Sequence, residues 1–151
     1  MKKVGIFSFT CCEGCVVVFI EALNTQYDNW MKKIKIENFR ALKKVKPIKQ
    51  LDIALIEGAI STPSEVKKLK EIRSKTKTLV ALGSGAVNGF PSNQRNKFGP
   101  KKQKQIQPLI DKLHQNKTIE PLNKFIKVDV EIPGCPIDEQ QLIKTLNGLL
   151  D

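Results

Sequence analysis

The segment Thr10-Cys11-Cys12-Glu13-Gly14-Cys15 contains three of the chain's four cysteines and lies between two apolar runs. The run before it, over residues 3–9, is short and rich in valine, isoleucine and phenylalanine, which predicts a strand. The run after it, over 16–33, begins apolar on nearly every side, which predicts a partly buried helix. Cys135 lies in a similar position, between a strand-like run over 125–132 and a final helix. A cysteine loop joining a strand to a helix is therefore predicted near both ends of the chain.

The composition suits one globular protein rather than a membrane or nucleic-acid-binding chain. The 151 residues are 40% hydrophobic and carry a net charge of +11. No apolar run approaches the roughly 20 residues of a membrane span, and Glu13 interrupts the only stretch that resembles a signal peptide. We therefore expect a cytoplasmic protein. The lysines are scattered without a recognition pattern, so we interpret them as solvated faces, with an acidic protein partner as the alternative and no nucleic acid.

Strands and helices alternate through the middle of the chain. Residues 51–56 and 78–82 are short, almost continuous apolar runs, which is typical of strands covered on both faces. Thr62-Pro63-Ser64-Glu65 has the form of a capping box and predicts a helix that runs to about Ser74. Residues 34–42 are ambiguous, with a strand plausible, and 43–50 form a basic connector.

The second half of the chain contains a polar loop over 88–100 and two further helices. The first helix is expected to start near Lys101 and to be kinked or split at Pro108. His114, the single histidine, is predicted as a surface residue in that helix. Asp138 is predicted to cap the last helix. The buried face of the first helix is predicted to contain Ile106, Leu109, Ile110 and Leu113.

This alternation predicts an α/β fold with a parallel sheet and helices on both faces. Without a repeat or a linker, residues 1–151 are interpreted as a single flavodoxin-like domain, a doubly wound parallel sheet. In such a sheet the strand-to-helix loops meet at the carboxyl edge. The two cysteine loops should therefore lie together, next to the loops over 57–61 and 83–89.

Thiols gathered beside helix N-termini favour three kinds of chemistry. Thiolates suit an iron–sulfur cluster, which Cys12 and Cys15 would grip while Cys135 closes the site from the opposite side. The same Cys-x-x-Cys pair could instead form a thioredoxin-like dithiol. A structural zinc site, or inert buried cysteines, is the third reading. Glycines such as Gly83 and Gly134 would let the backbone approach sulfur.

Four motifs carry a resemblance to a known family: Cys12-Glu13-Gly14-Cys15, Glu57-Gly58-Ala59-Ile60, Leu82-Gly83-Ser84-Gly85-Ala86-Val87 and Pro133-Gly134-Cys135-Pro136-Ile137. In this order they resemble the small subunit of nickel–iron hydrogenases and the related 20-kDa subunit of NADH:quinone oxidoreductase. The likeness is greatest to short cytosolic forms, such as the delta subunit of sulfhydrogenase and the small subunit of F420-non-reducing hydrogenase. It extends over essentially the whole chain.

The resemblance implies a flavodoxin-like domain that holds one [4Fe–4S] cluster and relays electrons without catalysing bond chemistry itself. The implied partners are a large nickel–iron-hydrogenase-like subunit and further electron-transfer subunits. Family ligand positions carry over to three cysteines, and one acidic position lies near the cluster and the partner. On residues alone that acid could equally be a helix cap or a surface carboxylate. The implied ligands are Cys12, Cys15 and Cys135, and the implied cofactor-binding residues are Glu57, Gly83, Ser84 and Gly134.

One departure from the family pattern affects the cluster directly. The family has a cysteine where this chain has Gly85, and glycine has no side chain to bind iron. Cys11 could be the replacement ligand, because adjacent cysteines occur in the quinone-oxidoreductase branch. Alternatively, the fourth position is open or filled by Ser84, water or a partner group, which would give a labile or [3Fe–4S] cluster. In the third arrangement the cluster is lost and the chain serves as an interaction subunit.

Overall fold

The computed structural model describes residues 1–42, 44 and 46–151 of the chain. Its strands and helices alternate as the sequence predicts. No helix among the described residues has the length and apolar character needed to cross a bilayer. The elements are β1 Lys2–Ser8, α1 Gly14–Thr25, α2 Tyr27–Lys33, β2 Ile34–Phe39, β3 Leu51–Glu57, α3 Pro63–Ser74, β4 Thr76–Leu82, α4 Gly83–Asn88, α5 Pro100–Lys112, β5 Val130–Ile132 and α6 Glu139–Leu150, with 3-10 helices at Ser92–Lys97 and Leu122–Lys124.

The five strands form one parallel sheet in the order β2-β1-β3-β4-β5. This order confirms the predicted flavodoxin-like α/β sheet, in which the chain reverses direction of winding between β1 and β3. Strand β3 is buried along almost its whole length, as its continuous apolar run predicts. The carboxyl ends of all five strands therefore point to one edge, where both cysteine loops emerge.

Each face of the sheet is covered by its own apolar cluster. On one face α1 and α6 pack over the sheet, and Phe19 stacks on Trp30 with ring centroids 6.2 Å apart. On the other face Leu69 and Ile72 of α3 pack with Leu122 over the alternate residues of β3 and β4. Both faces of the central strands are thereby removed from water, which is the main stabilisation of such a fold.

The predicted helix over 16–33 is two helices, because the chain bends at Gln26. This residue leaves helical geometry (φ −102°, ψ 13°) and its carbonyl accepts hydrogen bonds from the N–H groups of Asn29 and Trp30. The bend turns the fully buried Trp30 inward, where its Nε1 donates to Asn147 Oδ1 at 2.8 Å. Burial of the large aromatic ring explains why one continuous helix does not form.

The predicted strand over 125–132 is shorter than expected, since only Val130–Ile132 pairs with β4. Ahead of it, the side chain of Asp129 accepts from Leu79 N at 2.8 Å and from Arg73 Nη1 at 2.5 Å. The carboxylate of Asp129 therefore accepts the hydrogen bond from Leu79 N that a backbone carbonyl would accept if β5 were longer. Phe125 and its neighbours pack against the apolar cluster instead.

Helix α5 also differs from the prediction. It is continuous through Pro108, whose ring lies on the exposed side. Of its predicted buried face, Ile110 is buried and Ile106 is half-buried, but Leu109 and Leu113 are 60% and 58% exposed. His114 is exposed as predicted, although it follows the helix, with φ +50°. The predicted connector over 43–50 contains Lys43 and Val45, which lie outside the described residues.

Candidate functional site

The two cysteine loops meet at the carboxyl edge of the sheet, as the fold requires. The N–H of Ser84 donates to the carbonyl of Gly134 at 2.7 Å, which joins the loop after β4 to the loop after β5. Gly83 lies directly against the sulfur of Cys15, in a left-handed conformation with φ +78°. A side chain at Gly83 would collide with that sulfur, so glycine is required at this position.

The cysteines differ in exposure. Cys15 is buried, Cys11 is half-buried, and both Cys12 and Cys135 are exposed. The Sγ of Cys12 lies beside Gly14, and a Cβ placed on Gly14 would also contact Pro136, which follows Cys135. The thiols of Cys12 and Cys135 therefore lie on the solvent-exposed side of the carboxyl edge, and the thiol of Cys15 lies on its buried side.

Burial keeps two of the thiols protonated. It raises the pKa of Cys11 to about 11 and the pKa of Cys15 to about 12. Hydrogen bonds from the N–H groups of Glu13 and Ile137 to these sulfurs act in the opposite direction and are outweighed. A low-pKa thiol, which a dithiol redox site uses for attack, is therefore not found at Cys15.

Glu57 is a buried helix cap, 4% exposed, and not a surface carboxylate. Its two oxygens accept from Cys15 N at 3.2 Å and from Val16 N at 2.9 Å, at the N-terminus of α1. The same carboxylate accepts a hydrogen bond from the Cys15 thiol. Burial raises the pKa of Glu57, and the two backbone hydrogen bonds lower it in part. Glu57 thus holds the cysteine loop through the start of the helix.

Position 85 faces the turn that follows β3. A Cβ placed on Gly85 would lie 3.2 Å from the Cα of Gly58 and 3.3 Å from the N of Ala59. Gly58 in turn has φ +98°, and a Cβ placed there would lie 3.1 Å from the Cβ of Cys11. The turn after β3 is therefore packed between Gly85 on one side and Thr10 and Cys11 on the other.

A polar network that the sequence did not reveal anchors the start of the cysteine loop. The Thr10 hydroxyl lies 2.5 Å from the Ser61 hydroxyl and donates to Glu65 Oε1 at 3.1 Å. Glu65 also accepts from the N–H groups of Ser61 and Thr62. The capping-box pattern identified Glu65 as a helix cap, which the structure confirms. Only the tertiary structure brings Thr10 to the same carboxylate.

The donor set fits a thiolate-ligated cluster in chemistry and in the adjacency of its loops. Cys12, Cys15 and Cys135 offer soft ligands from two touching loops, which suit iron–sulfur clusters. The thiols are not gathered as ligands, however: among the described residues, which include all four cysteines, no group of three or more histidine, cysteine, aspartate or glutamate side chains is placed to hold a metal ion. Gly85 adds no donor to this set.

Comparisons with known proteins point to one family. The profile of the family described as NADH ubiquinone oxidoreductase, 20 Kd subunit, matches residues 12–149. The chain is 28% identical to the sulfhydrogenase 2 subunit delta of Pyrococcus furiosus, over 95% of this chain and 60% of that protein. It is 34% identical to the coenzyme F420 hydrogenase subunit gamma of Methanosarcina barkeri, over 89% of this chain and 48% of that protein. The chain thus spans about half to three fifths of these curated relatives.

The fold also matches a solved structure. A chain in the crystal structure of an NAD+-reducing [NiFe]-hydrogenase in the H2-reduced state superposes with a TM-score of 0.84. The match covers 99% of this chain and 90% of that one, at 24% sequence identity. The similarity supports the same arrangement of strands and helices.

Proposed function

The chain belongs to the NADH ubiquinone oxidoreductase 20 Kd subunit family, and we propose that it is the electron-transferring small subunit of a cytoplasmic, hydrogenase-like oxidoreductase complex. The observation that carries the proposal is the contact between the two cysteine loops at the carboxyl edge, where the N–H of Ile137 donates to the sulfur of Cys15, within a family match that covers residues 12–149. The relatives named as hydrogenase subunits support the class of complex. In this proposal the chain relays electrons and the partner catalyses the reaction.

The proposed cofactor is one iron–sulfur cluster, held by Cys12, Cys15 and Cys135. When bound, a cluster supplies a one-electron redox centre. Residues of this chain have distinct tasks toward it. Gly83 leaves space at the sulfur of Cys15, and Glu57 orders the N–H groups at the start of α1. The N–H of Ile137 donates to the Cys15 sulfur, a bond that would stabilise a thiolate ligand.

Cys11 is the proposed fourth ligand. Gly85 has no donor atom, and its side-chain direction is occupied by the backbone of Gly58 and Ala59. Cys11 lies at the other side of the same turn, in the loop that already contains Cys12 and Cys15. With this ligand the site would have four thiolates and would be expected to hold a [4Fe–4S] cluster. Without it, three thiolates would favour a [3Fe–4S] or labile cluster.

The proposed partner is a large, nickel–iron-hydrogenase-like subunit that covers the carboxyl edge, with further electron-transfer subunits. The exposure of Cys12 and Cys135, together with the 54% exposed Val17 at the start of α1, supports contact there. An apolar side chain beside exposed thiols is a surface that a partner would cover.

The test is to reconstitute the purified chain anaerobically with iron and sulfide, and to measure iron, acid-labile sulfide and the EPR spectrum after reduction with dithionite. Cys12→Ser and Cys135→Ser should each lose the cluster, because each removes a proposed ligand. Cys11→Ser should lose it, or convert its EPR signal to that of a three-iron cluster, if Cys11 is the fourth ligand. A wild-type chain that retains neither iron nor sulfide would refute the electron-relay proposal and leave the interaction-subunit reading.

A further inference from the structure

We propose that Ile106 and Leu109 of α5, together with Leu113 directly after its last residue, form a docking seam for an acidic amphipathic helix of another protein subunit. Helix α5 has a single buried residue, Ile110, and exposes two leucines that its sequence pattern assigns to the buried face. Two leucines more than half exposed on the same helix form an apolar strip that folding of this chain leaves in water. The seam shares no residue with the cysteine loops.

The spacing of the strip fits a helix as its occupant. Lys102, Ile106, Leu109 and Leu113 are separated by four, three and four residues, which is the spacing of a coiled-coil seam. Ile106 is half-buried and the two leucines project beyond it, so the seam lies at the boundary between the covered and the open side of α5. A second helix packed along it would remove both leucines from water by ordinary ridge-into-groove contact.

The charge around the seam favours an acidic partner. Between residues 95 and 124 the chain has eight lysines and arginines and only two acidic residues, Asp111 and Glu120. Within the described residues none of the lysines on α5 forms an ion pair, and Lys102 lies over the ring of Phe98 at 5.5 Å. Lys101 and Lys112 flank the leucines on the helix surface, where carboxylates of a partner would meet them.

The guanidinium of Arg95, which precedes α5 in the chain, also favours an anionic partner. Arg95 donates one bond, from Nη2 to the carbonyl of Asn116 at 2.8 Å. Its Nε and Nη1 are buried and have no acceptor among the described residues. Arg95 and Lys97 add positive charge just before the start of α5, and the long-range field of this charge favours an anionic partner.

The apolar strip distinguishes a protein partner from the two other anionic surfaces. Nucleic acid binds lysines through phosphates and would leave Leu109 and Leu113 in water. A membrane-surface helix inserts a broad apolar face, and the half-buried Ile106 with the two leucines gives too narrow an apolar face on α5 for this. A second copy of this chain would bring another charge of +11 to a basic surface. An acidic amphipathic helix would bury the two leucines under its apolar face and pair its carboxylates with the lysines.

Because the partner is taken to be another subunit, this inference rests on the proposed function, and the experiment uses the complex as isolated from the cells that make it. A zero-length carbodiimide reagent joins amines only to carboxylates, so mass spectrometry of the cross-linked complex identifies the acidic residues that contact the lysines. We expect Lys101 or Lys112 to be joined to carboxylates spaced three or four residues apart in one segment of another subunit. Cross-links of these lysines only to residues of this chain would overturn the proposal.

The leucines are tested by Leu109→Ser/Leu113→Ser, with Tyr27→Ser as the matched control, since Tyr27 is 57% exposed on α2. Retention of the cross-linked subunit on a tagged chain should fall about tenfold or more in the double variant and be unchanged in the control. Because the substituted residues are exposed, the unfolding transition of each variant should be unchanged. The iron content of each variant shows separately whether the proposed cluster site is intact. Undiminished retention overturns the proposal. If the chain instead binds duplex DNA, or vesicles of phosphatidylcholine and phosphatidylglycerol, and this binding is lost in the double leucine variant, the seam is a site for DNA or membrane. That result would also overturn the proposal.

Discussion

At the scale of single residues, the candidate site depends on where side chains are absent as much as on where they are present. Gly83 leaves space at the Cys15 sulfur, whereas Gly85 lies against backbone and leaves none. The two glycines are two positions apart and serve different contacts. A side chain at position 85 would have its Cβ 3.2 Å from the Cα of Gly58 and 3.3 Å from the N of Ala59, so the turn after β3 would have to shift to accept it.

Gly85→Ala tests this packing. Alanine at this helical position would gain up to about 1 kcal/mol in helix propensity, but its Cβ would press on backbone atoms that cannot rotate away. We expect a net loss of about 1 kcal/mol in the free energy of unfolding, measured by urea denaturation. Gly148→Ala in α6 is the matched control, because a Cβ there meets nothing within 4 Å. Stabilisation of both variants alike would show that position 85 is not crowded.

Glu57→Gln tests the cap beneath the cysteine loop. The amide retains one acceptor oxygen and turns an NH2 group toward the other backbone N–H, so we expect a loss of about 1–3 kcal/mol in the free energy of unfolding. The folded pKa of Glu57 is raised, so its stabilisation is greatest below the unfolded value of 4.5 and falls as pH rises through the folded pKa. The difference from the non-titrating variant should therefore shrink with rising pH.

Urea denaturation at several pH values between about 4 and 7 measures this dependence. Glu13→Gln is the control, because Glu13 lies in the same loop and forms an exposed ion pair with Arg40 at 3.0 Å. An exposed pair contributes at most about 1 kcal/mol, and its loss should be the smaller effect. A stability difference that grows between pH 5 and 7 would contradict the raised pKa of Glu57.

At the scale of elements, the cysteine loop is held by its neighbours rather than by its own hydrogen bonds. Helix α3 contributes Glu65, and the turn after β3 pairs with Thr10 through backbone bonds in both directions, at 3.1 Å and 3.0 Å. The capping box of α3 is a local feature of sequence, yet the same carboxylate reaches the loop after β1. One side chain thus connects the start of α3 with the approach to Cys11.

Glu65→Ala should destabilise the chain more than the loss of a local cap. It leaves the N–H groups of Ser61 and Thr62 without their acceptor and leaves the Thr10 hydroxyl with Ser61 as its remaining partner, so we expect a loss of about 2 kcal/mol or more in the free energy of unfolding. Hydrogen exchange of the backbone at 10–15 should accelerate together with that at 61–65. Glu71→Ala, on the same helix, breaks only an exposed pair with Lys75 and should cost about 0.5 kcal/mol or less. Faster exchange confined to α3 would show that Thr10 does not depend on Glu65.

At the scale of the whole molecule, the parallel sheet turns two distant segments into one site. The loops of Cys12 and Cys135 are brought together only when all five strands are in register, so a ligand held by both would bind the folded state and not the unfolded chain. Such binding stabilises the fold by mass action.

Anaerobic reconstitution with iron and sulfide should therefore raise the Tm by about 5 °C or more, and removal of iron by a chelator should reverse the change. Differential scanning calorimetry measures both. Cys12→Ser/Cys135→Ser provides the control, because it removes one proposed ligand from each loop and should show no rise. An equal rise in the double variant would mean that metal binds elsewhere on the chain.

Much of the fold followed from local pattern. The apolar runs of β3 and β4 and the capping box of α3 report burial and backbone hydrogen bonding within a few residues, and these elements form as predicted. Errors arose where a distant contact outweighed local preference. Trp30 turns inward and breaks a helix, and Asp129 replaces backbone at the start of β5. The pattern of α5 predicted a buried leucine face, but no helix or strand among the described residues covers Leu109 or Leu113.

The sequence by itself determined the parallel α/β architecture and the placement of Cys12, Cys15 and Cys135 at one edge, because alternating strands and helices form a parallel sheet whose strand-to-helix loops all lie at its carboxyl edge. Only the tertiary structure decided that Glu57 is a buried cap, and that the direction of a side chain at Gly85 is filled by the turn after β3. These properties depend on which atoms from distant segments come into contact, and no local pattern of residues encodes such contacts.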